Sequence, residues 1–152
     1  MINLLTNKNI VVLGGSGLIG KQIVKDIVAS GGIAIVLDVR KDNSLDADFF
    51  LTDCRLKNNM KNSLKKVVKK YKEIHGAIHA AYPKSNNWGE SFDDITFERL
   101  SEDLNSQLGS AIIFSSLVFK IFEKQKFGSL IHISSIQGVN APKFSHYEGT
   151  NM

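Results

Sequence analysis

The chain has 152 residues, 43% hydrophobic and 22% charged, with 12 Gly, 2 Pro and a formal net charge of +4. That balance suits one globular domain over residues 1–152 and excludes low-complexity disorder, while a lone cysteine, Cys54, excludes a disulfide framework. No apolar run approaches the roughly 18 residues of a membrane span, and Asn7, Lys8 and Asn9 interrupt the apolar start too soon for a signal peptide; a cytoplasmic chain away from membranes is expected.

Asn9–Leu13 is a short apolar run ending at Gly14, a first strand. Leu18–Ser30 places Ile19, Ile23, Ile27 and Val28 on one helical face, and Gly31–Gly32 closes it. Ile33–Asp38, β-branched and ending in a carboxylate, reads as a second strand and Asp48–Leu51 as a third. Leu56, Met60, Leu64, Val67, Val68 and Tyr71 then recur at helical spacing, with Lys57, Lys61, Lys65, Lys66, Lys69 and Lys72 opposite. Ile74–Ala81 is a fourth strand, and Tyr82–Asp94, with Pro83 and Gly89, a loop. Thr96–Gln125 reads as a helix with a break near Arg99–Ser101, and Gly128–Ser134 as a fifth strand. Ser135–Met152 has no period. Strand–helix alternation with continuously apolar strands predicts an α/β fold, a doubly wound parallel sheet of order 3-2-1-4-5.

The positive charge is local. Eight of the 19 basic residues and one of the 15 acidic ones lie in Arg55–Glu73, so the rest of the chain is net negative. A solvated helix face explains this, and no interleaved aromatics point to nucleic acid.

Gly14-Gly15-Ser16-Gly17-Leu18-Ile19-Gly20 falls between the first strand and the first helix. Gly14 permits a tight turn, Gly17 lets the backbone approach a diphosphate, and Gly20 lets helix and strand pack closely. The helix N-terminus then presents free N–H groups to the phosphates, which makes Ser16, Leu18 and Ile19 candidate cofactor-binding residues. Glycine triplets also occur in ordinary turns; the strand–turn–helix context favours a dinucleotide. Asp38 ends the second strand eighteen residues after Gly20, where a carboxylate accepts from the ribose 2′- and 3′-hydroxyls and repels a 2′-phosphate. NAD is therefore expected over NADP, a preference that Arg40 weakens.

On these residues the chain resembles the short-chain dehydrogenase/reductase family over nearly its whole length. The glycine spacing is similar to the form TGxxGxxG of the family's extended branch, with Leu13 where Thr is usual. The resemblance implies that Asp53 contacts the adenine amino group, although Asp53 also suits a helix N-cap, and that Ala81 keeps one place of the Asn-Asn-Ala-Gly motif. His79 there is either a brace for the sheet or a satisfied core histidine. Ser135, in Ile133-Ser134-Ser135-Ile136-Gln137-Gly138, falls where the family has its catalytic serine, a place also open to a plain turn serine. Gln107 stands where the family has Asn. The family's Tyr-x-x-x-Lys pair, which moves the proton while hydride passes to or from a carbonyl or alcohol carbon, is missing: Tyr147 is followed at that spacing by Asn151.

Ala81-Tyr82-Pro83 and the segment from Ser134 to Thr150 are similar to a branch serving bacterial nonulosonic-acid and flagellin-modification pathways. The resemblance implies an NAD-dependent oxidoreductase, inactive by itself, with a sugar-derived substrate and its C-terminal part missing. It also implies self-association through Ala111–Phe122, an almost uniformly apolar helix left partly uncovered. Two other readings stand beside it: a non-catalytic dinucleotide-binding and dimerisation module, and part of an extended-branch sugar epimerase or dehydratase.

Overall fold

The computed structural model describes residues 3–149 apart from Asn87 and Glu90. Five strands, β1 (Asn9–Leu13), β2 (Ile33–Asp38), β3 (Asp48–Leu51), β4 (Gly76–His79) and β5 (Ser129–His132), form one sheet of order β3-β2-β1-β4-β5. Every pairing is parallel. The order is the one the alternating pattern predicts. β1 and β2 lie inside the sheet and are buried on both faces, which is why their sequences run apolar without a polar interruption.

Strand residues alternate between two cores. Val11, Leu13, Ile35, Leu37 and Ala77 pack on one side against Met60, Leu64 and Val67 of α2 (Lys57–Tyr71) and Phe114, Val118 and Phe122 of α4 (Ser110–Gln125). On the other side Ile10, Val12, Ala34 and Val36 meet Val24 and Ile27 of α1 (Leu18–Ala29). The lysines of α2 point away from the core, as its spacing predicts. One of them, Lys70, joins Tyr71 in binding the Asp48 carboxylate, tying α2 to β3.

Two elements differ from the sequence expectation. The fourth strand is shorter: Ile74 is buried but outside the ladder, and Ala80 and Ala81 leave it beyond His79. The helical run is continuous from α3 (Phe97–Leu104) into α4, and its irregularity is a π turn at Asn105–Gly109 instead of a break at Arg99–Ser101. The joined helix spans 29 residues and, by length and composition alone, could cross a membrane, contrary to the expectation from the sequence. Its buried stripe of Ser110, Phe114, Val118 and Phe122 faces the sheet, as in a core helix.

The strand order reverses between β1 and β4, and a crevice opens at their carboxyl ends. β5 pairs with β4 alone among the described strands, and Ile131 and Ile133 are about half exposed there.

Candidate functional site

The chain leaves β1 through Gly14, whose φ of +83° suits glycine. The Gly14 amide donates to the Leu37 carbonyl (2.8 Å) and the Gly17 amide to the Gly14 carbonyl (3.1 Å), closing a turn. Gly17 caps α1 without a side-chain hydrogen bond, and the first turn of α1 holds no acidic residue. The opening amides of α1 therefore have neither an intrahelical acceptor nor a carboxylate to face. A Cβ on Gly20 would lie 2.0 Å from the Gly14 carbonyl oxygen, and one on Gly14 would lie 2.5 Å from the Ala81 nitrogen. Helix, turn and the exit from β4 are thus in backbone contact.

A cavity of about 820 Å³ opens on this corner. Gly14, Ser16, Gly17, Leu18 and Ile19 line it from the turn and α1. Asp38, Asp53 and Ala81 line it from the ends of β2, β3 and β4. Gly20 is buried behind them and acts through packing. Of the residues singled out in the sequence, the topology therefore gathers the whole glycine turn and both carboxylates in one place.

Asp38 accepts the Ser16 amide at Oδ2 (3.0 Å) and the Arg40 amide at Oδ1 (3.2 Å), so it orders the turn it borders. Each oxygen keeps a lone pair for a further donor. Asp53 does not cap α2, whose N-cap is Leu56. Instead both of its oxygens take the Arg55 guanidinium, at 2.7–3.2 Å, and Oδ1 also takes the Arg55 amide. The Arg55 hydrogen bonds hold the Asp53 carboxyl below its usual range. Cys54 is buried beside them, and burial raises its thiol, as does the Asp53 charge.

The Ser16 hydroxyl is the telling atom. Ser16 is 1% exposed, and its Oγ has no hydrogen-bond partner among the described residues. Buried polar atoms are almost always paired, so a bare hydroxyl next to bare amides fits an anionic group seated on the turn. The residues present therefore fit a dinucleotide: donors for a diphosphate, a carboxylate for a ribose, and glycines where a side chain would intrude.

A second cavity, of about 670 Å³, shares the wall of Ile19, Ala80, Ala81 and Tyr82. Ser135 lines it, and its Oγ also accepts the Gln137 amide (3.2 Å) to start a 3-10 turn, so the cavity serine and the turn serine are one residue. The π turn brings Gln107 to the same wall, where its Nε2 is buried without a partner among the described residues. His79 and His132 pair in register on β4 and β5, with ring centroids 5.4 Å apart. The His79 Nε2 is 3.4 Å from the Ser110 hydroxyl, and the His132 Nε2 is 2.9 Å from the Ser115 hydroxyl. His79 is thus a hydrogen-bonded core residue. Sequence reasoning missed His132, Ser115 and Lys84, which no motif marks. Thr150 and Asn151, which enter the motif comparisons, lie outside the described residues.

The sequence matches the family model described as short chain dehydrogenase over residues 8–150. It is 35% identical over 162 aligned positions to the post-translational flagellin modification protein A of Campylobacter coli, covering 98% of this chain. The chain spans 63% of the length of that relative. A short chain dehydrogenase from Leptospira borgpetersenii with bound NAD+ superposes with a TM-score of 0.82 at 20% identity, over 93% of this chain and 56% of that one. The ligand-free aldohexose dehydrogenase of Thermoplasma acidophilum gives 0.80 at 20% identity, over 90% and 52%. These two structures establish the likeness of fold.

Proposed function

The chain belongs to the short chain dehydrogenase family, and on that footing we propose that it serves an NAD-dependent oxidoreductase acting on a carbonyl or alcohol carbon of a small, sugar-derived substrate. The observation that carries this reading is the unpartnered Ser16 hydroxyl beside the opening amides of α1, on a cavity that Asp38 also lines. The nicotinamide, when bound, supplies the hydride chemistry. The Ser16 hydroxyl and the amides of Leu18 and Ile19 hold the diphosphate. Asp38 accepts the ribose hydroxyls with its remaining lone pairs, and its charge disfavours a 2′-phosphate. Asp53 and Ala81 border the adenine end. In the second cavity Ser135 and the Gln107 amide donate to the substrate oxygen. The sugar-derived substrate is supported by the flagellin-modifying relative and by the hydroxyl and amide groups lining that cavity.

None of the three tyrosines, Tyr71, Tyr82 and Tyr147, is followed four residues on by lysine. We therefore propose that residues 1–152, as one dinucleotide-binding domain that lacks the family's C-terminal part, bind the dinucleotide and turn nothing over alone. The domain acts in the cytoplasm, away from membranes and nucleic acid, with the lysine face of α2 simply solvated.

The test uses Trp88, the only tryptophan, which lies edge-on to Tyr82, a residue of the cavity wall, with centroids 5.3 Å apart. NADH titration is expected to quench its emission and sensitise that of NADH. Asp38→Asn is expected to weaken NADH about tenfold, a loss of about 1.4 kcal/mol, and to narrow the gap to NADPH. Equal titration curves for the wild type and the variant would remove Asp38 from the site.

Leu104, Leu108, Ile112 and Phe119 are all about half exposed along the joined helix. We propose that a second copy covers Ala111–Phe122, through Ile112 and Phe119, and extends over Leu104 and Leu108 before it. Sedimentation is expected to show a dimer that Phe119→Lys dissociates; a wild-type monomer at micromolar concentration refutes the contact.

A further inference from the structure

Three cations and two carboxylates line the first cavity: Arg40, Arg55, Lys84, Asp38 and Asp53. Asp53 and Arg55 close on each other through four hydrogen bonds. Asp38 accepts one backbone amide on each oxygen, from Ser16 and from Arg40. Lys84 is exposed and pairs with no carboxylate among the described residues. No ion pair among the described residues accounts for a charge at that place.

Its position does. A Cβ on Gly14 would lie 2.5 Å from the Ala81 nitrogen, so the chain leaving β4 crosses directly against the glycine turn. Lys84 is three residues further on, at most about 10 Å of extended chain, and Pro83 between them fixes its own backbone φ. Lys84 thus borders the cavity from the β4 side, while the α1 amides and the buried, unpartnered Ser16 hydroxyl border it from the β1 side. Two segments far apart in sequence bring donors without acceptors to one cavity.

We propose that Lys84 forms the second half of the diphosphate site, its ammonium closing over phosphates that the turn holds from the other side. The inference rests on the dinucleotide reading above. It adds that affinity depends on a flexible point charge as well as on the fixed amides, so binding falls steeply with salt.

The experiment compares NADH, ADP and adenosine on the full chain and on Lys84→Ala. The variant is expected to bind NADH and ADP about tenfold more weakly at low ionic strength, with the gap closing near 0.5 M salt as screening takes over. Adenosine, without phosphates, is expected to bind both proteins alike. Lys84→Arg keeps the charge and is expected to restore most of the affinity. Unchanged NADH and ADP binding in Lys84→Ala overturns the proposal while leaving the dinucleotide reading intact. An equal loss for adenosine also overturns it, because the lysine then shapes the cavity without gripping phosphate. A wild-type chain that binds neither NADH nor ADP sinks the dinucleotide reading itself, and this proposal with it.

Discussion

Gly17→Ala is expected to reduce NADH affinity at least a hundredfold with almost no change in stability, whereas Gly20→Ala is expected to destabilise the fold by about 3 kcal/mol. The two glycines sit three residues apart and do different work. Gly17 has φ −76° and ψ 173°, extended backbone open to any residue. A Cβ there meets one atom, the Gly14 carbonyl oxygen at 3.3 Å, which a shift of a few tenths of an ångström relieves. Losing glycine also lowers the entropy of the unfolded chain, worth about 0.4–1 kcal/mol of stability, which offsets that contact. Beyond that oxygen the methyl finds open space in the cavity that Gly17 lines, where we propose that the diphosphate sits.

Gly20 is the opposite case. Its Cβ would stand 2.0 Å from the Gly14 carbonyl oxygen and 2.8 Å from the Gly15 Cα. Both are backbone atoms of a hydrogen-bonded turn, so no side chain can swing away, and α1 must lift from β1. Against a total stability of about 5–15 kcal/mol, that loss is large. Urea denaturation and NADH titration on both variants separate the two effects. Wild-type NADH affinity in Gly17→Ala would falsify the assignment of the turn to the diphosphate. An unchanged urea midpoint in Gly20→Ala would contradict the close packing of α1 on the turn.

The same contrast marks what the sequence could reveal. β1 and β2 were legible because burial on both faces leaves continuous apolar runs, Ile10–Leu13 and Ala34–Leu37. The glycine turn was legible because close backbone approach permits one residue type. The π turn was misplaced for a physical reason. Leu100, Leu104, Leu108 and Ile112 keep a four-residue spacing straight through it, so the apolar pattern carries no mark of the one extra residue. Asp53 read equally well as a cap or a ligand, and the structure gives its carboxylate to Arg55, two residues on. His132 and Ser115 carry no signal because only the topology sets their side chains against each other. A parallel sheet brings His79 and His132 together from 53 positions apart in the chain.

That histidine pair is expected to make the core sensitive to acid. Lowering the pH from 7 to 5 is expected to cost the folded state about 2 kcal/mol, and His79→Gln is expected to abolish most of that loss. His79 is 5% exposed, and burial, aided by the charge that His132 would bring, lowers its pKa from 6.5 to about 4. The groups described against it are the His132 ring, the Phe114 ring and the Ser110 hydroxyl, none of them a carboxylate that would stabilise a cation. The sign follows from proton counts. Above pH 6.5 the imidazole is neutral in both states and contributes no pH dependence. Between 6.5 and 4 the unfolded chain takes up a proton that the folded chain refuses, so stability falls as the pH falls. Asp42 and Asp48 do not interfere: their carboxyls are held below the usual 3.8, by Lys21 and by Lys70 and Tyr71 respectively, and that stabilisation is lost only at more acid pH. Urea midpoints at pH 7 and pH 5 measure the effect in both proteins. An equal acid decline in His79→Gln would place the sensitivity elsewhere. The His79 ring-proton titration in the wild type checks the cause independently of the variant: a midpoint near 6.5 would mean that the imidazole takes up its proton in the folded state, and the core would then carry no acid penalty.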